Sequence, residues 1–488
     1  MRRPSAADVR RVSRVALPTA VVLCLAAFNL GFRLDAEVVR EWDESLYAMT
    51  AWEMHTSSNW IATTFQGALD YYNTKPPLNV WLIALSFKAF GVSLAALRLP
   101  SVLAAWGTIA LLLWWVRRRF DDGTAVCSGL VLATMFAFFY GHSGRTANTD
   151  AINTFLVVLA VVVLSGARDR PWRLAWLGPV LAAVFLLRGA AVLLPLAIVV
   201  ADELYTFGFR RRGRWAPTAA AVALFLLPVG AWVVARWRLD EWKFLSQLFW
   251  YDFVSRSVRA IEGHSRSVFY YLTVLHRRQF DWLIALVITW VLYPVPLARL
   301  RSLVQRDRAR TTGASLLAVW AAIALLMPTV MRTKLPWYLH AFYPAFAVVV
   351  GGVIAQAVRR AAVATPARRS PRALLLGAVL VLVLGAAEGR LIWYSYHYRD
   401  LARSSQGVLL AERGRLKGHT VFRRRLDRAE IFVLKALVGA THGLAPDTET
   451  FLRDSRPGDF LLTRRASPVA GLALVRTQGQ YLLYRREQ

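Results

Sequence analysis

The chain has 488 residues, 56% of them hydrophobic, with a mean hydropathy of +0.40, which is too apolar for a soluble protein of this size. Its formal net charge of +30 would suit nucleic acid. The arginines, however, stand in short clusters between apolar runs (Arg2-Arg3, Arg117-Arg118-Arg119, Arg210-Arg211-Arg212, 306–310, Arg359-Arg360, Arg368-Arg369), the pattern of cytoplasmic loops in a polytopic membrane protein, so nucleic acid is set aside.

The first apolar stretch, 15–32, follows a basic N-terminus but lacks a convincing small-residue cleavage site, so it reads as a retained span rather than a signal peptide. Further spans are expected at 97–116, 124–141, 150–166, 172–188, 190–207, 215–235, 281–299, 314–331, 338–356 and 373–391, about eleven in all. The tight pair around Arg188-Gly189 is the weakest of these assignments. With the N-terminus inside, the arginine clusters fall on the cytoplasmic side, and 33–96, 142–149, 189, 236–280, 332–337 and everything after 391 face outward. Cys24 and Cys127 lie within apolar stretches, and no zinc-type cysteine spacing exists.

The first outer loop is long. Within it, 47–54 and 76–90 carry apolar residues at helical spacing and read as helices lying along the membrane interface, with Trp42, Trp60 and Trp81 at that depth. After Tyr394 the chain becomes charged, with short alternating runs at 420–422, 460–462, 472–475 and 481–484 separated by Pro457-Gly458 and Gln478-Gly479. The expected architecture is an all-α polytopic membrane domain, 1–394, with a small extracytoplasmic α/β domain, 395–488.

Several outward residues can carry chemistry. Only six of the sixty basic residues are lysine, yet Lys75 (before Pro76-Pro77) and Lys334 (in Thr333-Lys334-Leu335-Pro336) both stand beside proline in outer loops. A lysine is a compact point charge suited to phosphate, whereas snorkelling needs any cation. Asp43-Glu44 at the membrane boundary can supply a general base, or Asp43 can cap the following helix. Asp150 either caps its span or points into an external cavity with Arg145. The 236–280 loop brings Arg256, Arg259, His264 and Arg266; a basic cluster can take phosphate, and a lone histidine is more often a satisfied surface group than a metal ligand.

The run Asp43-Glu44-x-x-Tyr47-Ala48, then Lys75-Pro76-Pro77-Leu78-x-x-Trp81-Leu82, Phe90-Gly91 and Arg98-Leu99-Pro100-Ser101, resembles the polyprenyl-phosphate-sugar-dependent C-type membrane glycosyltransferases, a group that includes protein O-mannosyltransferases and aminoarabinose transferases. Lys334-Leu335-Pro336-Trp337-Tyr338 and Tyr343-Pro344 resemble their later outer loop. The resemblance spans about residues 35–350 and implies sugar transfer from a polyprenyl-phosphate donor to a lipid, glycan or protein acceptor at the outer face of a bacterial cytoplasmic membrane. It implies Asp43 as general base, Lys75 and Tyr338 at the donor phosphate, Asp150 as a catalytic acidic residue of the second outer loop, and Arg256 and His264 in a basic loop; the residues themselves add Glu44 to the catalytic carboxylates and Arg256 and Lys334 to the phosphate ligands. Tyr47, Tyr72, Arg145 and His264 are assigned to substrate. Aminoarabinose transferases carry a metal-linked Glu before the Lys-Pro; here Thr74 stands there. No metal ligand is therefore assigned, although a divalent ion stays open as a cofactor. The competing reading is a transporter or flippase for a lipid-linked or anionic substrate, against which the charges gather in outer loops rather than in the spans.

Overall fold

The computed structural model describes residues 6–208, 213–255, 265–294, 313–363, 370–397, 400–425, 427–464 and 470–487. A helical bundle dominates: α1 (Ala6–Gly31), α4 (Leu94–Arg119), α5 (Asp122–Ala133) with the short α6 (Phe136–Phe139), α7 (Thr149–Ala167), α8 (Leu177–Arg188), α9 (Leu193–Phe207), α10 (Trp215–Asp240) with the short α11 (Lys243–Gln247), α12 (Tyr270–Leu292), α13 (Ala314–Val330), α14 (Tyr343–Val363) and α15 (Pro371–His397). Among the described residues, seven helical segments are long and apolar enough to cross a membrane, with the 171–207 stretch counted as one.

Polar links mark the two ends of the bundle. At one end Arg168 donates to Asp202 at 2.5 Å and to Ser315, Arg214 pairs with Glu203 at 2.5 Å, and Arg359 reaches Asp121 at 2.6 Å. At the other, Arg188 at the close of α8 reaches Asp150 at the start of α7, the Tyr271 hydroxyl donates to the Leu335 carbonyl, and Arg33 after α1 meets Asp400 after α15. Successive helices therefore run between the same two ends in alternation, and α8 and α9 form a hairpin about Gly189, whose φ of 45° makes the reversal. Close packing depends on small residues. A Cβ on Gly351 would collide with the Ser128 backbone, so glycine lets α14 cross tightly on α5.

Helix starts follow the sequence where capping chemistry is strong: Ser93 accepts from Ala96 N–H ahead of α4, and Asp121 from Thr124 N–H ahead of α5. Several expected spans change shape: 124–141 breaks after Ala133, and 172–188 opens as a 3-10 turn over Pro171–Trp176 before the helix from Leu177. The 338–356 span becomes an α-helix only from Tyr343, with 338–339 ending a 3-10 turn (Pro336–Leu339) and 340–342 a turn, and the 281–299 span begins at Tyr270.

The first long loop holds α2 (Asp43–Ser57) and α3 (Leu78–Phe90), and a small β1/β2 ribbon (Thr64–Phe65, Ala68–Leu69). Both helices were expected to lie along the lipid surface. Instead α2 is buried on most of its sides, packed between α3 and the C-terminal domain in one shared core that includes Tyr47, Met54, Phe87, Phe432 and Leu434. That domain is a mixed five-stranded sheet ordered β4 (Thr441–Leu444), β3 (Thr420–Arg423), β5 (Phe460–Thr463), β7 (Tyr481–Arg486), β6 (Leu472–Gln478), parallel across β4-β3-β5 and antiparallel beyond. β4 was not expected: Thr441-His442-Gly443-Leu444 has no apolar alternation.

Two buried arginines lock this outer layer to the bundle. Arg98, 0% exposed, donates to Glu44 at 2.9 Å and to the carbonyls of Leu34, Glu37 and Val38. Arg145, 1% exposed, pairs with Glu37 at 2.7 Å and donates to the carbonyls of Asn29, Leu30 and Phe32. Arg98→Ala leaves the Glu44 carboxylate buried and unpaired. It should cost about 3–5 kcal/mol, read as a drop in the melting temperature of the detergent-purified protein. A melt within error of wild type would contradict the strut role.

Candidate active site

The chain enters α2 through Trp42, whose φ of 68° is sterically costly for a residue with a Cβ and fixes the direction in which the helix departs. Trp42 holds the N-cap position, and Asp43 is the first residue inside α2 rather than its cap. The Asp43 Oδ1 lies 3.5 Å from Lys75 Nζ and its Oδ2 3.6 Å from His142 Nδ1. Lys75 is placed by a turn in which Asp70 Oδ1 accepts from the N–H groups of Tyr72 and Asn73, and by the two prolines after it. Its ammonium also lies over the Tyr47 ring at 5.3 Å.

The loop after α6 brings His142 to the other side of Asp43. Gly141 and His142 both take positive φ, 83° and 67°, and the imidazole stacks on Trp337 with ring centroids 3.8 Å apart. Burial pushes the His142 pKa down to about 4, against the pull of Asp150 and Asp43, so the ring is neutral at neutral pH. The unfolded chain takes that proton near the ordinary value of 6.5 and the folded chain only at about 4. Between those values the unfolded state binds more protons, and stability should fall as pH falls. Melting temperatures from pH 7 down through this window should decline more steeply for wild type than for His142→Gln; parallel curves would contradict it.

Arg188 closes the third side. It donates to Asp150 at 2.6 Å and lies over the Tyr338 ring at 5.6 Å. Asp43, Lys75, His142, Arg188, Trp337 and Tyr72 line one cavity with about 2020 Å³ of open space, to which Arg40, Tyr251, Arg278 and Arg428 also contribute. Arg428 comes from the C-terminal domain and lies against the faces of Tyr72, Trp42 and Phe65 at 5.0–5.7 Å. Next to this space, and sharing Arg188 and Trp337, a more apolar cavity runs past Asp150, Leu194, Met327 and Tyr338.

The expected residues thus separate. Asp43, Lys75 and Tyr72 line the cavity, Tyr47 lies beneath Lys75, and Asp150 and Tyr338 reach it through Arg188. Glu44 does not reach it. It is 0% exposed, with Oε1 accepting from Arg98 and Ala147 N–H and Oε2 from Arg40 N–H. Burial alone would raise its carboxyl, but Arg98 and Arg40 hold it below the usual range. Arg145 is likewise committed to Glu37 and to carbonyls, and Lys334 Nζ donates to the Met331 carbonyl in its own loop at 2.5 Å. Arg256 and His264 lie outside the described residues. The sequence reading missed Arg188, His142, Arg278 and Arg428. A signal existed for the first two: a lone cation in a two-residue break between apolar runs, and a histidine bracketed by Gly141 and Gly144.

A metal does not fit the described site. Thr74 offers no carboxylate beside Lys75, and among the described residues no three His, Cys, Asp or Glu side chains gather as a ligand set.

The fold is similar to that of C-type membrane glycosyltransferases. Residues 74–232 match the family of dolichyl-phosphate-mannose-protein mannosyltransferases. The chain is 29% identical over 348 residues to the undecaprenyl phosphate-alpha-4-amino-4-deoxy-L-arabinose arabinosyl transferase of Pseudomonas paraeruginosa, covering 70% of this chain and 60% of that one. It is 28% identical over 380 residues to a similarly named enzyme of Pseudomonas fluorescens, covering 75% and 64%. The matched region therefore spans about three fifths of these relatives' length. The crystal structure of ArnT from Cupriavidus metallidurans bound to undecaprenyl phosphate superposes with a TM-score of 0.68 at 17% identity, covering 97% of this chain and 98% of that one. In fold over nearly the whole chain, and in sequence over about 70% of it, the chain is thus similar to C-type, lipid-phosphate-sugar membrane glycosyltransferases.

Proposed function

We propose that the chain transfers a sugar from a polyprenyl-phosphate donor to an acceptor at the outer face of a bacterial cytoplasmic membrane. The observation that carries this reading is the pairing of Asp43 and Lys75, 3.5 Å apart, on the wall of one open cavity at the end of a membrane bundle. The similarity to undecaprenyl-phosphate-dependent relatives supports the donor class.

The chemistry needs little more than these residues. A sugar on a polyprenyl phosphate is already activated, because the phosphate is its leaving group. The donor phosphate binds Lys75 and Arg188, which neutralise the charge that develops as the C–O bond breaks. Asp43 accepts the proton of the acceptor as that atom attacks the anomeric carbon. Because the two groups are neighbours, a phosphate on Lys75 puts the anomeric carbon beside an acceptor held at Asp43. Asp150 orients Arg188, and neutral His142, wedged on Trp337, keeps Asp43 facing the cavity. The apolar cavity past Leu194 and Met327 suits the first isoprene units of the donor. Tyr72 and Arg428 stand on the acceptor side. The membrane transferase unit ends with α15 at His397, three residues past the expected 394, and the domain above it follows.

Purified protein in nanodiscs, given a radiolabelled polyprenyl-phosphate-sugar pool and a cell-envelope acceptor fraction, should release free polyprenyl phosphate and label the acceptor. In vesicles, movement of intact lipid-linked sugar with no cleavage would instead identify a transporter. The same reading puts the N-terminus inside and residues 400–487 outside. A cysteine introduced at the exposed Glu449→Cys should react with an impermeant thiol reagent in intact spheroplasts; protection there, with labelling of a cysteine near 210, would invert the topology.

A further inference from the structure

At the end of the bundle opposite the candidate active site, α4 and α7 part around a second cavity with about 1230 Å³ of open space. Its rim carries Arg118, Arg119, Arg173 and Asp169, with Trp114 and Trp176 beside them. Arg119 is committed, donating to the Ser165 carbonyl at 2.6 Å and to Asp169 at 3.0 Å, so it neutralises the one carboxylate present. Arg118 lies over the Trp114 ring at 4.6 Å. Arg173 lies flat on α7, because a Cβ at Gly166 would come within 2.7 Å of its guanidinium. The wall below is Val162 and Val163, with part of the buried Trp115 behind them.

We propose that this cavity binds the headgroup of one anionic phospholipid from the leaflet opposite the active site. Two guanidinium groups surplus to Asp169, those of Arg118 and Arg173, match a phosphodiester. The tryptophans, 46% and 66% exposed at Trp114 and Trp176, sit as interfacial side chains do, with charge on the water side and valines on the lipid side. A free anion would need the arginines alone; an acyl chain leaving the headgroup also uses the valine wall. A basic pocket between transmembrane helices is a recognised form of headgroup site.

The test is lipid retention by the full chain in native mass spectrometry after delipidation in detergent. Wild type should retain one added phosphatidylglycerol in preference to phosphatidylethanolamine, and inorganic phosphate in large excess should not displace it. Arg118→Gln combined with Arg173→Gln should weaken retention roughly tenfold or more, while Lys75→Ala, at the other end of the bundle, should leave it unchanged. Equal retention of the two lipids by wild type would overturn the proposal, and this arm needs no variant to fold. Displacement by phosphate would mark a free-anion site, loss of retention in Lys75→Ala would place the lipid in the active site, and retention by the double variant equal to wild type would remove the arginines from the account.

Discussion

Asp43→Asn should lower sugar transfer by roughly 100- to 10,000-fold, the usual cost of removing a general base, while leaving polyprenyl phosphate binding and the melting temperature close to wild type. The expectation rests on where the carboxylate is. It stands one residue inside α2 rather than at the cap, it lines the cavity, and both of its oxygens have cavity-lining neighbours, Lys75 and His142. Asparagine keeps the shape and can still meet His142, but it cannot take a proton from the acceptor. Single-turnover transfer with donor in excess is the measurement. Turnover like wild type would remove Asp43 from the mechanism, and a lost melt would show that the residue is structural instead. Glu44→Gln, next along the chain, should behave in the opposite way. Its loss weakens the Arg98 lock and therefore stability, with no direct claim on the chemistry.

Lys75→Ala should weaken binding of polyprenyl phosphate by roughly 10- to 100-fold, because a charge-assisted hydrogen bond is worth about 1.5–3 kcal/mol, and should lower transfer by at least as much. Lys75 is largely enclosed, its side chain 12% exposed, and the prolines after it and the Asp70 turn before it limit where its ammonium can go. The phosphate cannot be served by water there as it would be in bulk, so a lost donor is felt. Lys75→Arg should rescue only in part. The planar guanidinium is longer, and on the same turn it would meet Tyr47 and Asp43 rather than the phosphate. Equilibrium binding of polyprenyl phosphate to the two variants checks this. Unchanged affinity in Lys75→Ala would move the phosphate elsewhere in the cavity, to Arg188, Arg278 or Arg40.

The membrane fold was legible because its physics is one-dimensional. Long apolar runs become helices that cross, and arginines gather at one end, where Arg119 of a cluster, and Arg168 and Arg214 outside the clusters, meet the carbonyls and carboxylates that close the helices. The outer layer was less legible. Glu44 reads like Asp43 in the sequence, and only the fold brings Arg98, fifty-four residues on, against one and not the other. Lys334 reads like Lys75, but the loop folds its ammonium onto the Met331 carbonyl. Arg188 was hidden because it looked like a flaw in the spacing of two spans, when it is the cation that the turn at Gly189 delivers to Asp150 and Tyr338. Arg428 could not be foreseen at all, since its approach to Trp42, Phe65 and Tyr72 depends on how the C-terminal domain docks on α2.

The central claim is that one cavity holds the donor phosphate on Lys75 with Asp43 poised beside it to take the acceptor proton. A cryo-EM structure of the protein with polyprenyl phosphate tests it most directly. The account predicts phosphate oxygens within hydrogen-bonding distance of Lys75 Nζ and the Arg188 guanidinium, the lipid tail leaving past Leu194 and Met327, and the Asp43 carboxylate open to the remaining space. A phosphate bound away from Lys75, or one with Asp43 sealed behind it from any acceptor, would contradict it.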